Sequence, residues 1–186
     1  MKYKKFFQSL PLLFLLTTCD WFEPGEAEKP WEEESKWLEP VSPSVVITNL
    51  QNSFENRNII NYTSSLSQDF MFFGDPSDSQ YVPPGVFNDW TLEVEEEVAT
   101  KIFNTFDSKI DLSFQDSLKD STGSNANFYL TYNINLESSD SATTVMGISH
   151  FELVRDSVNL WSISNWRDYR LDTLCIDWGI LKAMSR

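Results

Sequence analysis

The stretch Asn127–Glu137 reads NFYLTYNINLE. Phe128, Leu130, Tyr132, Ile134 and Leu136 fall on every second position, the period of a strand that turns one face to a core. The same period starts upstream with Ile110, Leu112 and Phe114. Downstream, Thr143 to Val154 holds two interleaved apolar sets, which predicts a bulge or burial on both faces. Val158 to Tyr169 (VNLWSISNWRDY) closes the series with Trp161 and Ile163 on one face. Breaks at DSTGSN, SSDS and RDSVN separate the segments. The pattern predicts an antiparallel meander of four long strands.

Moving outward toward the N-terminus, the period lengthens. Ser42-Pro43 offers a capping hydroxyl followed by a proline at the first helical position. Val46, Leu50 and Phe54 then recur every four residues with Ile47 alongside, predicting a helix of about four turns. Ile59, Ile60 and Leu66 fit a short second helix. Gln68–Phe73 (QDFMFF) is a strand candidate, and GDPSDSQYVPPG after it is a loop. Asp89–Phe106 reads as a further helix, with Leu92, Ala99, Ile102, Phe103 and Phe106 on its buried side. Glu95, Glu96 and Glu97 lie in its first half, where the helix dipole favours acids, and are expected on a solvated face. TLCIDWGILKAMSR at the other end predicts at most a short turn of helix. No internal repeat is present.

This order of helix, short helix, strand, loop, helix and four long strands resembles the nuclear-transport-factor-two-like, or cystatin-like, family. VVITNLQNSFENRNIINYTSSLSQDFMFF is similar to its opening, WTLEVEEEVATKIFNTF to its third helix and LWSISNWRDY to its closing strand. The likeness runs from Ser44 to about Asp172. It implies an α+β fold, cone-shaped, with N-terminal helices packed on a strongly curved antiparallel sheet. It also implies a cone interior that serves as the default small-molecule pocket, with Tyr62, Phe72, Trp90, Phe103, Tyr132 and Trp161 as its candidate lining. The alternative is that these rings simply fill the cone. Enzymes of this fold place an Asp or His inside the cone as general base, and here Asp69 and His150, the one histidine of the chain, are the candidates. Neither has a partner matched by spacing, and each has a bland reading as a cap, surface or core residue.

The composition narrows the rest. Hydrophobic residues make up 41% and aromatics 15%, enough for a packed core. The formal net charge is −14, a field that repels phosphate backbones and anionic headgroups. Nucleic acid is therefore an improbable partner. One histidine with one free cysteine does not supply a zinc site, the acidic stretch DSKIDLSFQDSLKDSTGSN lacks calcium-loop spacing, and glycine-rich phosphate loops are absent. No cofactor or metal is expected. Cys175, between Leu174 and Ile176 with Asp172 and Asp177 nearby, is expected as a buried, inert thiol.

The N-terminus carries its own signal. Lys2, Lys4 and Lys5 precede the largely apolar run Phe6–Thr18, a layout for export too short to span a bilayer, which takes about 20 residues. Leu16-Thr17-Thr18-Cys19 resembles the bacterial lipobox, although Thr18 stands where Gly, Ala or Ser is usual. The resemblance implies a signal peptide over 1–18, lipid attachment at Cys19 and a chain held on a membrane of the cell envelope. An acidic tether containing Pro and Trp follows over 19–43, and a single domain over 44–186. Three functions fit this organisation. One is a tethered module binding an apolar ligand or an envelope protein. The second is an isomerase- or hydratase-type enzyme, to be recognised by an inward, desolvated carboxylate or histidine. The third is a structural lipoprotein forming a homodimer, to be recognised by a filled cone and an apolar outer sheet face.

Overall fold

The computed structural model describes residues 37–186; the lipobox-like segment, Cys19 and most of the tether lie outside the described residues. Helix α1, Pro43–Glu55, starts at Ser42 in an extended conformation with Pro43 in the first turn, and the hydroxyl of Ser42 makes no capping bond. Its stripe of Val46, Ile47, Leu50 and Phe54 is buried. Asn49 is buried on the same side and exchanges two hydrogen bonds with the backbone of Leu38, donating at 2.6 Å and accepting at 3.0 Å. Pro40 accepts the N–H of Trp161 at 2.8 Å. Residues 38–40 are thus pinned to the domain.

Helix α2, Ile59–Ser64, is capped by the Asn58 side chain, which accepts from Asn61 N–H. Leu66 belongs to strand β1, Leu66–Phe73, and not to this helix. The helix ends early because the chain must straighten to pair with the last strand, where Leu66 lies beside Ile163. The expected loop contains a 3-10 turn, Pro76–Gln80, capped by Asp75. Helix α3, Leu92–Thr105, buries Val98, Ala99, Ile102 and Phe103, and it buries Glu95 as well.

Four long strands follow: β2 (Lys109–Thr122), β3 (Asn125–Glu137), β4 (Ala142–Arg155) and β5 (Trp161–Arg170). They form the meander, and β1 joins it in parallel against β5, giving the order β1-β5-β4-β3-β2. At the β2–β3 turn Gly123 adopts a φ of +65°, which glycine takes without steric cost. At the β4–β5 turn Asp156 Oδ1 accepts the N–H groups of Val158 and Leu160, both at 2.9 Å.

Parity decides which side chains face the helices. Along β3 the inward set is Ala126, Phe128, Leu130, Tyr132, Ile134 and Leu136. Along β4 it is Val145, Gly147, Ser149, Phe151 and Leu153. A bulge between Glu152 and Leu153 shifts the register with β5, so that Ile163 and then Trp166 and Asp168 face inward. Met146, Ile148, His150 and Glu152 project from the outer face. Both readings of Thr143–Val154 therefore apply, since the strand pair is bulged and its outer side is half-buried.

The C-terminal segment does more than add a turn. Ile176 bridges to Val145 and accepts the N–H of Met146 at 2.9 Å. Helix α4, Trp178–Ser185, then lies against α3, β4 and β5, with Asp177 capping it through a bond from Ile180 N–H at 2.7 Å. Trp178 is fully buried, and Ile180, Leu181, Lys182 and Ala183 are buried too.

Candidate functional site: the interior of the cone

Side chains from five segments meet inside the curved sheet. Tyr62 arrives from α2, Phe72 from β1, Trp90 from the turn before α3, Phe103 from α3 and Trp166 from β5. Their rings are in edge and tilted contact: Tyr62 with Phe103 at 5.8 Å, Phe72 with Trp90 at 5.2 Å and Phe72 with Trp166 at 5.7 Å between centroids. Trp178, delivered by α4, lies against Phe54 at 4.9 Å, Tyr132 at 5.2 Å and Trp166 at 4.5 Å. Tyr62, Phe72, Trp90, Trp166 and Trp178 have no solvent-accessible surface, so no water-sized gap lies against them. Of the six candidate lining residues, Trp161 is buried in the same core at the beginning of β5, with the guanidinium of Arg155 at 5.7 Å from its ring.

Two polar clusters are sealed within this aromatic interior. In the first, Glu95 Oε1 accepts from Tyr62 Oη at 2.5 Å and Oε2 from Trp90 Nε1 at 2.8 Å. Lys182 Nζ lies 2.7 Å from Oε1, 3.5 Å from the ring centre of Trp166 and 3.9 Å from that of Phe72. Glu95 and Lys182 are both essentially inaccessible to solvent. The expectation of a solvated Glu95 is therefore corrected. Its position shares a helix face with Val98, Ala99 and Ile102, three, four and seven residues on, and only Glu96 and Glu97 point to water. Burial pushes the Lys182 ammonium below its usual value, with Glu95 and Asp168 opposing that shift. Burial, reinforced by Glu95, pushes the Tyr62 phenol well above its own.

The second cluster gathers at the start of α4. Tyr132 Oη accepts the N–H of Trp178 at 2.6 Å and donates to Asp168 Oδ2 at 3.0 Å. Gly179 N–H reaches the same oxygen at 2.9 Å, and Ser149 Oγ lies 3.4 Å from Oδ1. Burial, with Asp177 adding to it, holds the Asp168 carboxyl well above the ordinary carboxylate range. Beside it, Arg170 Nη2 pairs with Asp78 Oδ1 at 2.9 Å and its Nε lies 3.5 Å from Asp177 Oδ2. Burial and the neighbouring Asp177 push Asp78 up to about 7 against the pull of Arg170.

The candidate bases are elsewhere. Asp69 is exposed on β1. His150 lies on the outer sheet face, opposite in parity to Ser149 and Phe151. Its ring is stacked on Tyr129 at 4.0 Å and its Nε2 is 3.0 Å from Asn127 Oδ1. Burial, helped by Arg167, lowers its pKa. Cys175 is a free, half-buried thiol. Among the described residues no group of His, Cys, Asp or Glu is placed to hold a metal ion. Also among them, no helix is long and apolar enough to cross a membrane. The described surface does carry shallow clefts. One of about 160 Å³ on the outer face is lined by Ser113, Gln115, Asn133, Met146 and Leu171, among others.

The interior residues that the sequence reading missed are Glu95, Trp166, Asp168, Trp178 and Lys182. Two signals could have found most of them: Trp178 and Lys182 are spaced for one helix face behind a capping Asp177, and Glu95 lies on the apolar stripe of α3.

No family model matches the chain, and no curated protein matches its sequence. Solved structures do match. A protein of unknown function from Mycobacterium tuberculosis is 10% identical, with a TM-score of 0.55 over 76% of this chain and 81% of that one. A cystatin-like protein of unknown function from Nostoc punctiforme is 9% identical, with a TM-score of 0.51 over 69% and 86%. A ketosteroid isomerase-like protein from Erwinia carotovora atroseptica is 12% identical, with a TM-score of 0.54 over 72% and 97%. At such identities the likeness is one of fold, and the fold is the α+β, cystatin-like arrangement of helices on a curved sheet.

Proposed function

We propose that this chain is a binding module held on a membrane of the cell envelope through a lipid on Cys19, and that it engages a protein through the outside of its domain. The observation that carries this reading is the filled interior. Trp178 and Lys182 of α4 occupy the space where a small ligand would sit, with no accessible surface left around the rings. The outer sheet face offers the alternative surface. Tyr129, Met146, Ile148 and Tyr169 are spread over three adjacent strands there, among Asn, Thr and Arg side chains. A mixed apolar and polar patch of this kind suits protein contact. A second reading, the isomerase- or hydratase-type enzyme, is favoured by Asp168, an inward and desolvated carboxyl. That reading requires α4 to leave, because Gly179 in its first turn takes up one bonding position of Asp168, while Tyr132 and Ser149 hold others from the sheet.

The test is made on full-length protein in bacterial membranes. A photo-crosslinking residue is placed at Ile148 on the outer face or at Ile60, which is exposed on α2. Native mass analysis of the solubilised protein accompanies it. The expected result is an acylated chain without a stoichiometric small molecule, and protein adducts at position 148 but not at 60. Adducts between two copies of the chain would assign the face to a homodimer. A small molecule recovered in stoichiometric amount, or equal adducts at both positions, would overturn the reading. Loss of membrane fractionation in Cys19→Ser tests the anchor separately.

A further inference from the structure

We propose that Asp78, Asp177 and Arg170 form a proton-operated latch that seats α4 inside the curved sheet, and that loss of its proton loosens the helix. The argument starts from crowding. A side chain at Gly179 would meet carboxylate oxygens of Asp78, Asp177 and Asp168 at 3.2, 3.4 and 3.6 Å. Three carboxyls from three elements therefore converge on the first turn of α4, and one guanidinium faces them. Asp78 and Asp177 have no accessible surface and Asp168 almost none. Arg170 reaches Oδ1 of Asp78 and Oδ2 of Asp177, whereas Oδ2 of Asp78 is buried without a partner. A carboxyl–carboxylate pair sharing one proton would supply the bond this oxygen lacks, and it would bring the local charge closer to balance.

Among the surrounding groups, Asp75 adds a negative charge that favours the proton on Asp78. From the 3-10 turn, Asp75 accepts the backbone N–H of Arg170 at 3.0 Å and that of Ser77 at 2.7 Å. From the residue after that turn, the Tyr81 ring lies 4.3 Å from the guanidinium carbon. From β5, the Asp168 carboxyl is raised well above its usual range by burial and by neighbouring Asp177. From β3, the Tyr132 phenol is raised chiefly by burial and stays protonated. From α4 and α3, Lys182 and Glu95 pair with each other, and Tyr62 of α2 donates to Glu95. Among the described residues, Arg170 is the cation paired with Asp78 and Asp177, and one guanidinium does not balance two carboxylates.

The sign follows from linkage. Asp78 titrates at about 7 in the folded protein and from 3.8 when exposed. The closed state thus binds the proton more tightly than the open one. Its stabilisation is complete below about pH 4 and is lost as pH rises through 7, with opening increasing by at most about tenfold per unit and levelling off above it. Amide hydrogen exchange of the full-length chain, corrected for the intrinsic rate and followed from pH 5 to 8, reads this directly. Residues 178–185 are expected to open progressively more up to pH 7, with β3 unchanged. Asp78→Asn is expected to remove the rise; if that variant does not fold, Asp177→Asn, which keeps a capping oxygen, serves in its place. A flat profile for 178–185, a rise of equal size in β3, or an unchanged profile in the folded variant overturns the latch.

Discussion

Glu95→Gln is the substitution for which the interior makes the sharpest forecast. Glutamine has the shape of glutamate, and a flipped amide satisfies both neighbours, accepting from Trp90 Nε1 and donating to Tyr62 Oη. The same flip turns the amide NH₂ toward Lys182 Nζ, which lies 2.7 Å from Oε1 in the wild type, so Lys182 loses both its counter-charge and its acceptor among the rings of Phe72 and Trp166. The lysine escapes by losing its proton. From a reference value of 10.5 to pH 7 that release costs at most about 5 kcal/mol, at about 1.4 kcal/mol per unit. Breaking a buried pair in this way costs about 3–5 kcal/mol. Lys182→Met leaves Glu95 with two donors in place and is expected to cost about 1–2 kcal/mol. The double variant has a satisfied amide beside an apolar chain of similar volume, and is expected within about 1 kcal/mol of the wild type. Urea unfolding at pH 7 with a constant m-value measures all four proteins. Glu95→Gln should also gain stability as pH rises above 7, because its folded state binds the Lys182 proton less tightly than the unfolded chain does. A coupling below about 1 kcal/mol, or Lys182→Met proving the costlier single change, would refute the reasoning.

Three further outcomes follow from the geometry. Gly147→Ala places a methyl against the Tyr132 hydroxyl and 2.8 Å from the Tyr169 carbonyl; thermal melting should show a loss near the upper end of about 1–3 kcal/mol. Trp178→Ala empties the centre of the ring cluster and should cost about 3–5 kcal/mol, while creating a dry cavity in which indole raises the melting temperature of the variant but not of the wild type. Tyr132→Phe removes both the acceptor of Trp178 N–H and a donor to Asp168, and should cost about 1–3 kcal/mol by denaturant midpoint.

Much of this architecture is written in simple periods. The four-residue stripe of α1, the alternation of β3 and the apolar side of α3 each follow from one face being buried, so a single periodic signal locates them. Parity along β4 even separates His150 from the interior. What escapes is polar burial. Three consecutive glutamates look like a wetted surface, yet the same helical geometry that buries Val98 and Ile102 carries Glu95 inward with them. Its cost is met by Tyr62, Trp90 and Lys182, which lie 33, 5 and 87 residues away in sequence; a local window sees only Trp90. Trp178 and Lys182 escape for a related reason. Eight residues near the chain end make a weak periodic signal, and their burial depends on a concave sheet face that exists only after the strands have paired.

The two ionic clusters on α4 answer to pH in opposite directions, and their combination gives the helix an unusual stability curve. The latch at its N-terminal end is firmest in acid and has relaxed by about pH 7, because the folded Asp78 holds its proton up to that value. The Lys182–Glu95 pair one turn later has a lysine whose pKa is lowered on folding by burial. Between that lowered value and 10.5 the unfolded chain carries more protons at this residue, so its contribution grows as pH rises. Where Lys182 titrates above 7 in the folded state, the seat of α4 is weakest between the two windows and tightens again in alkali. Where it titrates below 7, the slopes overlap and partly cancel. Extending the hydrogen-exchange series to pH 10 separates the cases. A protection minimum for residues 178–185 that Lys182→Met converts to a plateau places both clusters in control of the helix. A wild-type curve that keeps loosening above pH 7 would mean that the lysine pair does not hold α4 in its seat.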